Sequence, residues 1–283
     1  MSSRTLNEKL EELKSFLREV GKGGSVIALS GGVDSSTLAF LCHEVLGDKA
    51  VAVTALSPIY PVDELEDARR VAEEIGIRHL IVKTEELKNE NFVRNPVDRC
   101  YYCKKDLLEA LQRVVDELGF QVIFEGTNSS DLQGHRPGYR AILEKSNTYS
   151  PWAEVGFTKE EIRKLAKNFG LSVHNKPSSP CLASRIPFGE RITADRLERI
   201  WRAEKAIRKI LGVRQVRVRD HGGLARIEIG EEEMELALDL EALRKVASEL
   251  KGLGFKYVTL DLEGYRTGSL ISSLDPRWFR ANP

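Results

Sequence analysis

Three cysteines in this 283-residue sequence stand where thiols are not needed for packing. Cys100 and Cys103 form a CxxC pair in NPVDRCYYCKKDL, and Cys181 lies in KPSSPCLASRIPFGERIT, a loop bracketed by prolines. A CxxC spacing lets two thiolates converge on one metal ion, and a third, distant cysteine leaves one coordination position open. That donor set suits a [4Fe–4S] cluster with one exchangeable iron better than a structural zinc site, which four ligands normally close.

Two other uses of these cysteines stay open at this point. A zinc ion would need a fourth ligand, which His135 or His174 could supply. A redox-active pair is the third possibility. The fourth cysteine, Cys42, follows Leu38 by four residues and precedes Val45 by three, so we expect it on the buried face of a helix.

A second motif, SGGVDSS at residues 30–36, follows an apolar run and precedes an amphipathic stretch. Glycine lets backbone N–H groups approach an anion closely, and a helix that begins here adds its positive end. Phosphate or pyrophosphate is therefore the expected ligand. Asp34 would repel bare phosphate, so we expect it to meet a Mg²⁺ that accompanies one. The other residues expected to bind are Ser30, Gly31, Gly32, Ser35 and Ser36. The loop lacks the Walker A pattern GxxxxGK[ST].

The elements that must position these motifs alternate between strand and helix patterns through the first two thirds of the chain. Candidate strands are 25–29, 50–55, 79–82 and 121–125, and candidate helices are 35–46, 63–75 and 104–118. Continuous apolar strands alternating with helices predict an α/β fold with a doubly wound, mostly parallel sheet. Such sheets bind ligands beyond the C-terminal ends of their strands, where the motifs fall in predicted loops.

After about residue 188 the pattern changes to that of a smaller α+β domain. Candidate elements are a helix at 194–211, strands at 214–219 and 224–229, a helical stretch at 231–253 and a last strand at 255–262. The predicted domains are therefore 1–188 and 189–283.

Arginines alternate with valines in the first strand of the smaller domain. Period two places Arg217 and Arg219 on one face, where two guanidinium groups suit a phosphomonoester. The competing interpretation is a solvated face on which Arg226 pairs with Glu228.

Three further polar residues are candidates. Arg185 follows Cys181 by four residues and is a candidate near the reacting centre. Glu204 could orient a substrate or a metal, although a salt-bridged helix face explains it equally well. Asp131 could join Asp34 at Mg²⁺ or cap a turn.

Composition excludes several classes of protein. Lys plus Arg equals Asp plus Glu at 43 each, which gives no reason to expect nonspecific binding to nucleic acid or to an anionic membrane. No apolar run approaches the roughly 20 residues of a membrane span. The first helix pattern lacks the apolar block of a signal peptide, so we expect a cytoplasmic protein. Four cysteines in a chain of this length do not indicate a disulfide framework.

SGGVDSS resembles the pyrophosphate-binding loop of the adenine-nucleotide α-hydrolases, also called PP-loop ATP pyrophosphatases. EGTN at residues 125–128 is similar to their second nucleotide loop. The resemblance implies that ATP is cleaved between its α- and β-phosphates to adenylate a substrate oxygen. It also implies that Gly126 and Thr127 contact the nucleotide.

Four stretches resemble the LarE-type sulfur transferases, which act in biosynthesis of the nickel-pincer nucleotide cofactor: NPVDRCYYCK, EGTNSSDLQGHRPGYRA, KPSSPCLASRIPFGERIT and RVRDHGGLARIEIG. The resemblance runs from about residue 5 to about residue 272. It implies that ATP adenylates a carboxylate of pyridinium-3,5-biscarboxylic acid mononucleotide and that sulfur displaces AMP to give a thiocarboxylate. Arginines matching Arg217 and Arg219 hold the substrate phosphate in the family, which tends to form homo-oligomers.

The family has two sources of sulfur. In one branch, the cysteine matching Cys181 gives up its own sulfur and becomes dehydroalanine. In the other, three cysteines hold an iron–sulfur cluster that carries an extra sulfide. The sacrificial members lack the CxxC pair, so Cys100 and Cys103 favour the cluster branch, with Cys181 as the third ligand.

Other interpretations stay open. The scaffold also suits a tRNA-thiolation enzyme or an amide-forming synthetase, and Cys181 could still be a sacrificial donor. A nucleotide- or metal-sensing module without chemistry is the alternative from a different class.

Overall fold

The structure is a computed structural model that describes residues 4–134, 136–177 and 180–266. These residues form two compact units, the first from 4–92 and 97–177 and the second from 93–96 and 180–266. The boundary near residue 188, with separate roles for the two domains, stays a prediction. None of the helices in this part of the chain has the length and apolar character needed to cross a lipid bilayer.

A five-stranded parallel sheet, ordered β3-β2-β1-β4-β5, forms the centre of the first unit. The strands are β1 (Ser25–Ala28), β2 (Ala50–Leu56), β3 (Arg78–Lys83), β4 (Val122–Phe124) and β5 (Thr148–Tyr149). The strand order reverses between β1 and β4, and ligands of parallel α/β sheets bind at such a switch point. The SGGVDSS and EGTN loops follow these two strands, so both begin at the same sheet edge.

Helices cover both faces of this sheet. They are α1 (Leu6–Gly21), α2 (Val33–Leu46), α3 (Val62–Ile75), α4 (Glu90–Val93), α5 (Arg99–Leu118), α6 (Pro137–Leu143), α7 (Pro151–Val155) and α8 (Lys159–Asn168). One core contains Ile27 and Phe124 together with residues of α1, α2, α3 and α8. A second core contains Val26 and Ile123 with residues of α5 and α6. Neighbouring strand residues thus point into opposite cores, which confirms the doubly wound α/β fold.

Cys42 lies on the buried face of α2, as predicted. Its side chain is fully buried among apolar residues, and burial raises the pKa of the thiol well above its ordinary value. This cysteine is therefore a small core residue.

The CxxC pair departs from its predicted setting. The helix expected from residue 104 begins at Arg99, so Cys100 and Cys103 lie in its first turn rather than in a loop. Residues 99–118 contain neither glycine nor proline, and nothing interrupts a helix once Pro96 has been passed. The first turn is mostly polar, so hydrophobic periodicity alone did not include it.

The second unit is a three-stranded sheet ordered β6-β7-β8. Its elements are α9 (Ala194–Leu211), β6 (Val216–His221), β7 (Leu224–Ile229), α10 (Leu240–Gly252) and β8 (Tyr257–Leu260). β6 and β7 are antiparallel around Gly222 and Gly223, both with positive φ, and β8 runs parallel to β7. The helical stretch expected at 231–253 is divided: a 3₁₀ segment ends at Leu238, and the Asp239 side chain caps α10.

Residues 93–96 belong to this second unit although they lie far from it in sequence. Asn95 has φ of +56°, and its side-chain amide donates to the carbonyls of Ile186 at 3.2 Å and Pro187 at 2.7 Å. The backbone N–H of Ile192 donates to the carbonyl of Val93 at 2.9 Å. The second unit is therefore assembled from two separate stretches of chain.

Candidate functional site

The SGGVDSS segment forms a tight turn from β1 into α2. Gly31 has φ of +71°, and a Cβ placed on it would lie 2.9 Å from the backbone nitrogen of Ala68 in α3. Gly32 is the N-cap of α2 and has no side chain to cap the helix. Backbone N–H groups at the start of α2 are therefore left for an external acceptor, and helix N-termini of this kind bind phosphate.

The three serines of this loop are placed differently from one another. Ser35 braces the turn: its Oγ accepts from the Ser30 N–H at 3.1 Å, contacts the Ser30 Oγ at 3.0 Å and donates to the Gly32 carbonyl at 3.2 Å. Ser36 is fully buried, whereas Ser30 is exposed. Of the three hydroxyls, that of Ser30 is the one on the outer side of the loop.

The EGTN loop packs directly on the start of α2. A Cβ on Gly126 would lie 3.1 Å from the backbone nitrogen of Ser35 and 3.3 Å from the Cβ of Asp34. Thr127 donates its N–H and its Oγ1 hydrogen to the Glu125 carboxylate, each at 3.0 Å. The two predicted nucleotide loops therefore meet, and a side chain at position 126 would crowd their contact.

Asp34 and Asp131 approach the same amide. The Asn128 Nδ2 donates to Asp131 at 2.9 Å and to Asp34 at 3.4 Å, and Lys159 at the start of α8 forms an ion pair with Asp34. Burial raises the pKa of Asp34, the charge of Asp131 raises it further, and Lys159 opposes both. Each carboxylate also has a cationic partner, Lys159 for Asp34 and Arg136 for Asp131.

Two lysines of this site were missed by the sequence analysis. Lys159 pairs with Asp34, and Lys176 donates to the Gly31 carbonyl at 3.1 Å and to Asp67 at 2.7 Å. Both lysines stand far from the loop in sequence, and no local pattern joins them to it. The nearest signal is that Lys176 opens the KPSSPC stretch.

The cysteines divide between the two units. Cys100 is exposed and Cys103 is partly buried at the start of α5. They stand three residues apart and hence on one side of the helix. Cys181 is partly buried and belongs to the second unit. Within residues 4–134, 136–177 and 180–266, no group of three or more His, Cys, Asp or Glu side chains is arranged to hold a metal ion.

One of the two histidines considered as zinc ligands, His174, lies in the part of the chain that the structure describes. The Nδ1 of His174 lies 2.9 Å from the carbonyl of Leu171. His135 lies outside the described residues.

Arg185 and Glu204 form a buried bidentate pair in the second unit. The Nε–Oε1 distance is 2.8 Å and the Nη2–Oε2 distance is 3.1 Å. Burial would raise the pKa of Glu204, but Arg185, with help from Arg217, holds it below its usual range. The Arg185 Nη1 donates to the carbonyls of Pro180 at 2.6 Å and Cys181 at 3.0 Å, so this pair fixes the backbone that carries Cys181.

Arg217 and Arg219 are buried, each with 6% of its surface exposed, so the competing interpretation of a solvated face is wrong. Arg219 pairs with Glu228 at 2.7 Å and donates to the Ser184 carbonyl at 2.8 Å. The expected Arg226–Glu228 pair is also present, at 3.0 Å. This face can be buried because Glu228 of β7 neutralises the charge of Arg219 and the 182–185 turn supplies a carbonyl acceptor.

Positive charge is crowded around Arg217. Burial and the nearby Arg185 lower the pKa of Arg217 to about 10, which still leaves the guanidinium protonated at neutral pH. The Arg217 guanidinium carbon also lies 5.3 Å from the centre of the Tyr265 ring. A bound anion would relieve this repulsion between cations.

Comparison with known proteins now identifies the family. A family model described as NAD synthase matches residues 5–96. Pyridinium-3,5-bisthiocarboxylic acid mononucleotide synthase of Lactiplantibacillus plantarum is 34% identical over 271 residues, which span 95% of this chain and 96% of that protein. The chain belongs to the LarE-type sulfur transferase family.

Two further relatives resemble this LarE-type chain. Uncharacterized protein slr1717 of Synechocystis sp. is 44% identical over 94% of this chain and 97% of its own length. The tRNA-specific 2-thiouridylase MnmA of Rickettsia prowazekii is 27% identical over 73% of this chain and 66% of its own length. The PP-loop similarity supports ATP binding at the SGGVDSS loop.

Gly31→Ala should destabilise the protein by about 3 kcal/mol, because it combines positive-φ strain with a backbone clash against α3. Gly119→Ala is the matched control: Gly119 has φ of +65° but nothing lies within 4 Å of a Cβ placed there. We expect the control to cost about 1 kcal/mol. Chemical denaturation of both variants measures the difference, and equal losses would contradict the close packing of Gly31.

Asp34→Asn should stabilise the nucleotide-free protein at pH 7. The folded-state pKa of Asp34 is raised, so the stability given by its neutral form is complete below the unfolded pKa of about 3.9 and is lost as the pH rises through the folded pKa. The advantage of the variant should therefore vanish below about pH 4.

Asp195→Asn is the control, because Asp195 also occupies the second position of its helix and is exposed. It should lose about 0.3–1 kcal/mol at pH 7. Thermal denaturation at several pH values tests both variants. A similar loss in Asp34→Asn would show that the partly buried carboxylate of Asp34 is not a source of instability.

Proposed function

We propose that this protein is an ATP-dependent sulfur transferase. It adenylates a carboxylate of pyridinium-3,5-biscarboxylic acid mononucleotide and replaces AMP with sulfur to give a thiocarboxylate. The observation that carries the proposal is the contact of the SGGVDSS and EGTN loops at the switch point of the sheet. The support for the substrate is the 34% identity to a synthase of the bisthiocarboxylic product.

The first half-reaction needs ATP because hydroxide is a poor leaving group from a carboxylate, whereas AMP is a much better one. The bare start of α2 binds the phosphates, and Ser30 adds a hydroxyl on the outer side of the loop. Asp34 and Asp131 are the residues that would hold Mg²⁺, since two carboxylates already share one amide there. Mg²⁺ held there would supply positive charge to the phosphates of ATP.

The substrate nucleotide carries a phosphomonoester, which suits the arginines of the second unit. Arg217 lies among other cations, and Arg219 is oriented by Glu228 at 2.7 Å. Buried guanidinium groups held in place by carboxylates bind phosphate at low entropic cost. Glu204 acts through Arg185 in this scheme, because both of its oxygens accept hydrogen bonds from that side chain.

The sulfur source is the finer part of the proposal. Cys100 and Cys103 fit as two thiolate ligands of a [4Fe–4S] cluster, because one helical turn places both on the same side of α5. Cys181 is proposed as the third ligand, on backbone that Arg185 fixes. Such a cluster, when bound, supplies an activated sulfide. The protein acts on a small nucleotide rather than on nucleic acid, and as a homo-oligomer.

The second candidate function is thiolation of tRNA. It is favoured by the similarity to MnmA, whose name describes it as specific for tRNA. The equal numbers of acidic and basic residues, 43 each, do not favour a dedicated RNA surface.

Anaerobic incubation with ATP, Mg²⁺ and the biscarboxylate nucleotide tests the proposal, with the thiocarboxylate followed over several turnovers. Replacing Cys100, Cys103 or Cys181 by Ser should abolish the product, while Cys42→Ala should keep it. Pyrophosphate release without the carboxylate substrate would contradict acyl adenylation. Loss of the mass of H₂S from Cys181 after one turnover would instead assign the sacrificial route.

Arg217→Met should raise KM for the nucleotide substrate about 10- to 100-fold, because it removes charge-assisted hydrogen bonds to the phosphate. KM for ATP should not change. Arg214→Met is the control: its side chain is 87% exposed and it precedes the strand. Steady-state kinetics with each substrate varied decides the matter, and an equal effect on both KM values would argue for a general loss of structure.

A further inference from the structure

Glu125 is a buried carboxylate, and each of its two oxygens accepts two hydrogen bonds. One oxygen accepts from the Thr127 N–H at 3.0 Å and from the Ser150 Oγ at 2.5 Å. The other accepts from the Thr127 Oγ1 at 3.0 Å and from the Lys104 Nζ at 3.1 Å. Burial alone would raise the pKa of Glu125, but Lys104 and the hydroxyl donors hold it below its usual range. Glu125 is thus an ionised anchor for the EGTN loop.

Lys104 brings the first turn of α5 to this anchor. It directly follows Cys103 and stands one helical turn after Cys100. On its other side, a Cβ placed on Gly138 of α6 would lie 3.3 Å from the Cys100 carbonyl oxygen and 3.7 Å from the Lys104 Cβ. The turn that carries both cysteines is therefore held between α6 and Glu125.

The same anchor reaches the phosphate loop through one more contact. Glu125 fixes Thr127, and the intervening Gly126 lies against the backbone of Ser35 at the start of α2. Each step from Cys103 to Ser35 is thus a covalent neighbour, a hydrogen bond or a van der Waals contact. All of these residues belong to the first unit.

We propose that Lys104 and Glu125 are positioning residues that couple the CxxC turn to nucleotide binding. The proposal rests on the ATP site of the proposed function. It adds a link between that site and the turn that carries Cys100 and Cys103. A ligand that joins Cys100 to Cys103 fixes the first turn of α5, holds Lys104 towards Glu125 and so preorganises the EGTN loop for ATP. Binding linkage makes the effect reciprocal.

Titration calorimetry of Mg²⁺–ATP into the full-length protein tests the pair. Lys104→Met should raise Kd about tenfold, and Lys104→Arg should restore it to within about threefold. Lys105→Met, the exposed neighbour, is the control and should bind ATP like the wild type. The double variant of Lys104→Met with Glu125→Gln should bind no more weakly than Glu125→Gln alone, because the two residues act as a unit.

Phenylarsine oxide is the probe for the cysteine side, because two nearby thiols condense with it to form two As–S bonds and release water. Treatment should lower the Kd for ATP at least about threefold in the wild type. The effect should be absent in Lys104→Met and in the Cys100→Ser, Cys103→Ser double variant. These comparisons need no sulfur transfer.

The outcomes separate the two proposals. Wild-type affinity in Lys104→Met, or an arsenical effect that survives in that variant, would overturn the coupling. A wild-type protein that does not bind ATP would overturn the proposed function itself. Lys104 is partly exposed, so we expect its variants to fold. They test the coupling even if Glu125→Gln does not fold.

Discussion

The candidate anion site depends on three glycines that leave the backbone at the start of α2 uncovered by their own side chains. Gly31 turns with positive φ against the backbone of α3, Gly32 begins the helix without a side-chain cap, and Gly126 lies on the backbone of Ser35. A methyl group on Gly31 would clash with the backbone of α3, and one on Gly126 would crowd the backbone of α2. The remaining contacts stabilise that arrangement: Ser35 closes the turn from inside, and Lys176 holds the Gly31 carbonyl from α3's side of the loop. An anion site is thereby built almost entirely from main chain.

The two units handle charge in opposite ways. In the first, Asp34 and Asp131 share an amide; burial raises the pKa of Asp34, and the ion pair with Lys159 opposes that effect. In the second, guanidinium groups are enclosed together, and the carboxylates of Glu204 and Glu228 pair with two of them. Under the proposed function, the first unit takes the metal-bound phosphates of ATP and the second takes the phosphate of the other nucleotide. This division agrees with a reaction that takes ATP and a second nucleotide.

The sequence predicted those features that repeat locally. Apolar runs gave the four longer strands of the parallel sheet, and the helix at 194–211 has the predicted ends, because capping and periodicity act within a few residues. The short strand Thr148–Tyr149 has too few residues to show a period. The burial of Arg217 and Arg219 and the contacts of Lys104, Lys159 and Lys176 were not predictable, because each joins residues far apart in sequence. Pairing of this kind leaves no spacing that one sequence can reveal.

The four residues 93–96 have a consequence for how the chain is assembled. Asn95 contacts the carbonyls of Ile186 and Pro187, and the nearer of these stands 91 positions further along the sequence. The second unit is consequently discontinuous, and the whole of α5 to α8 is an insertion between its two pieces. During synthesis, residues 93–96 cannot make these contacts until residues 186–192 have also been synthesised. A cut at any single peptide bond therefore cannot release the second unit intact.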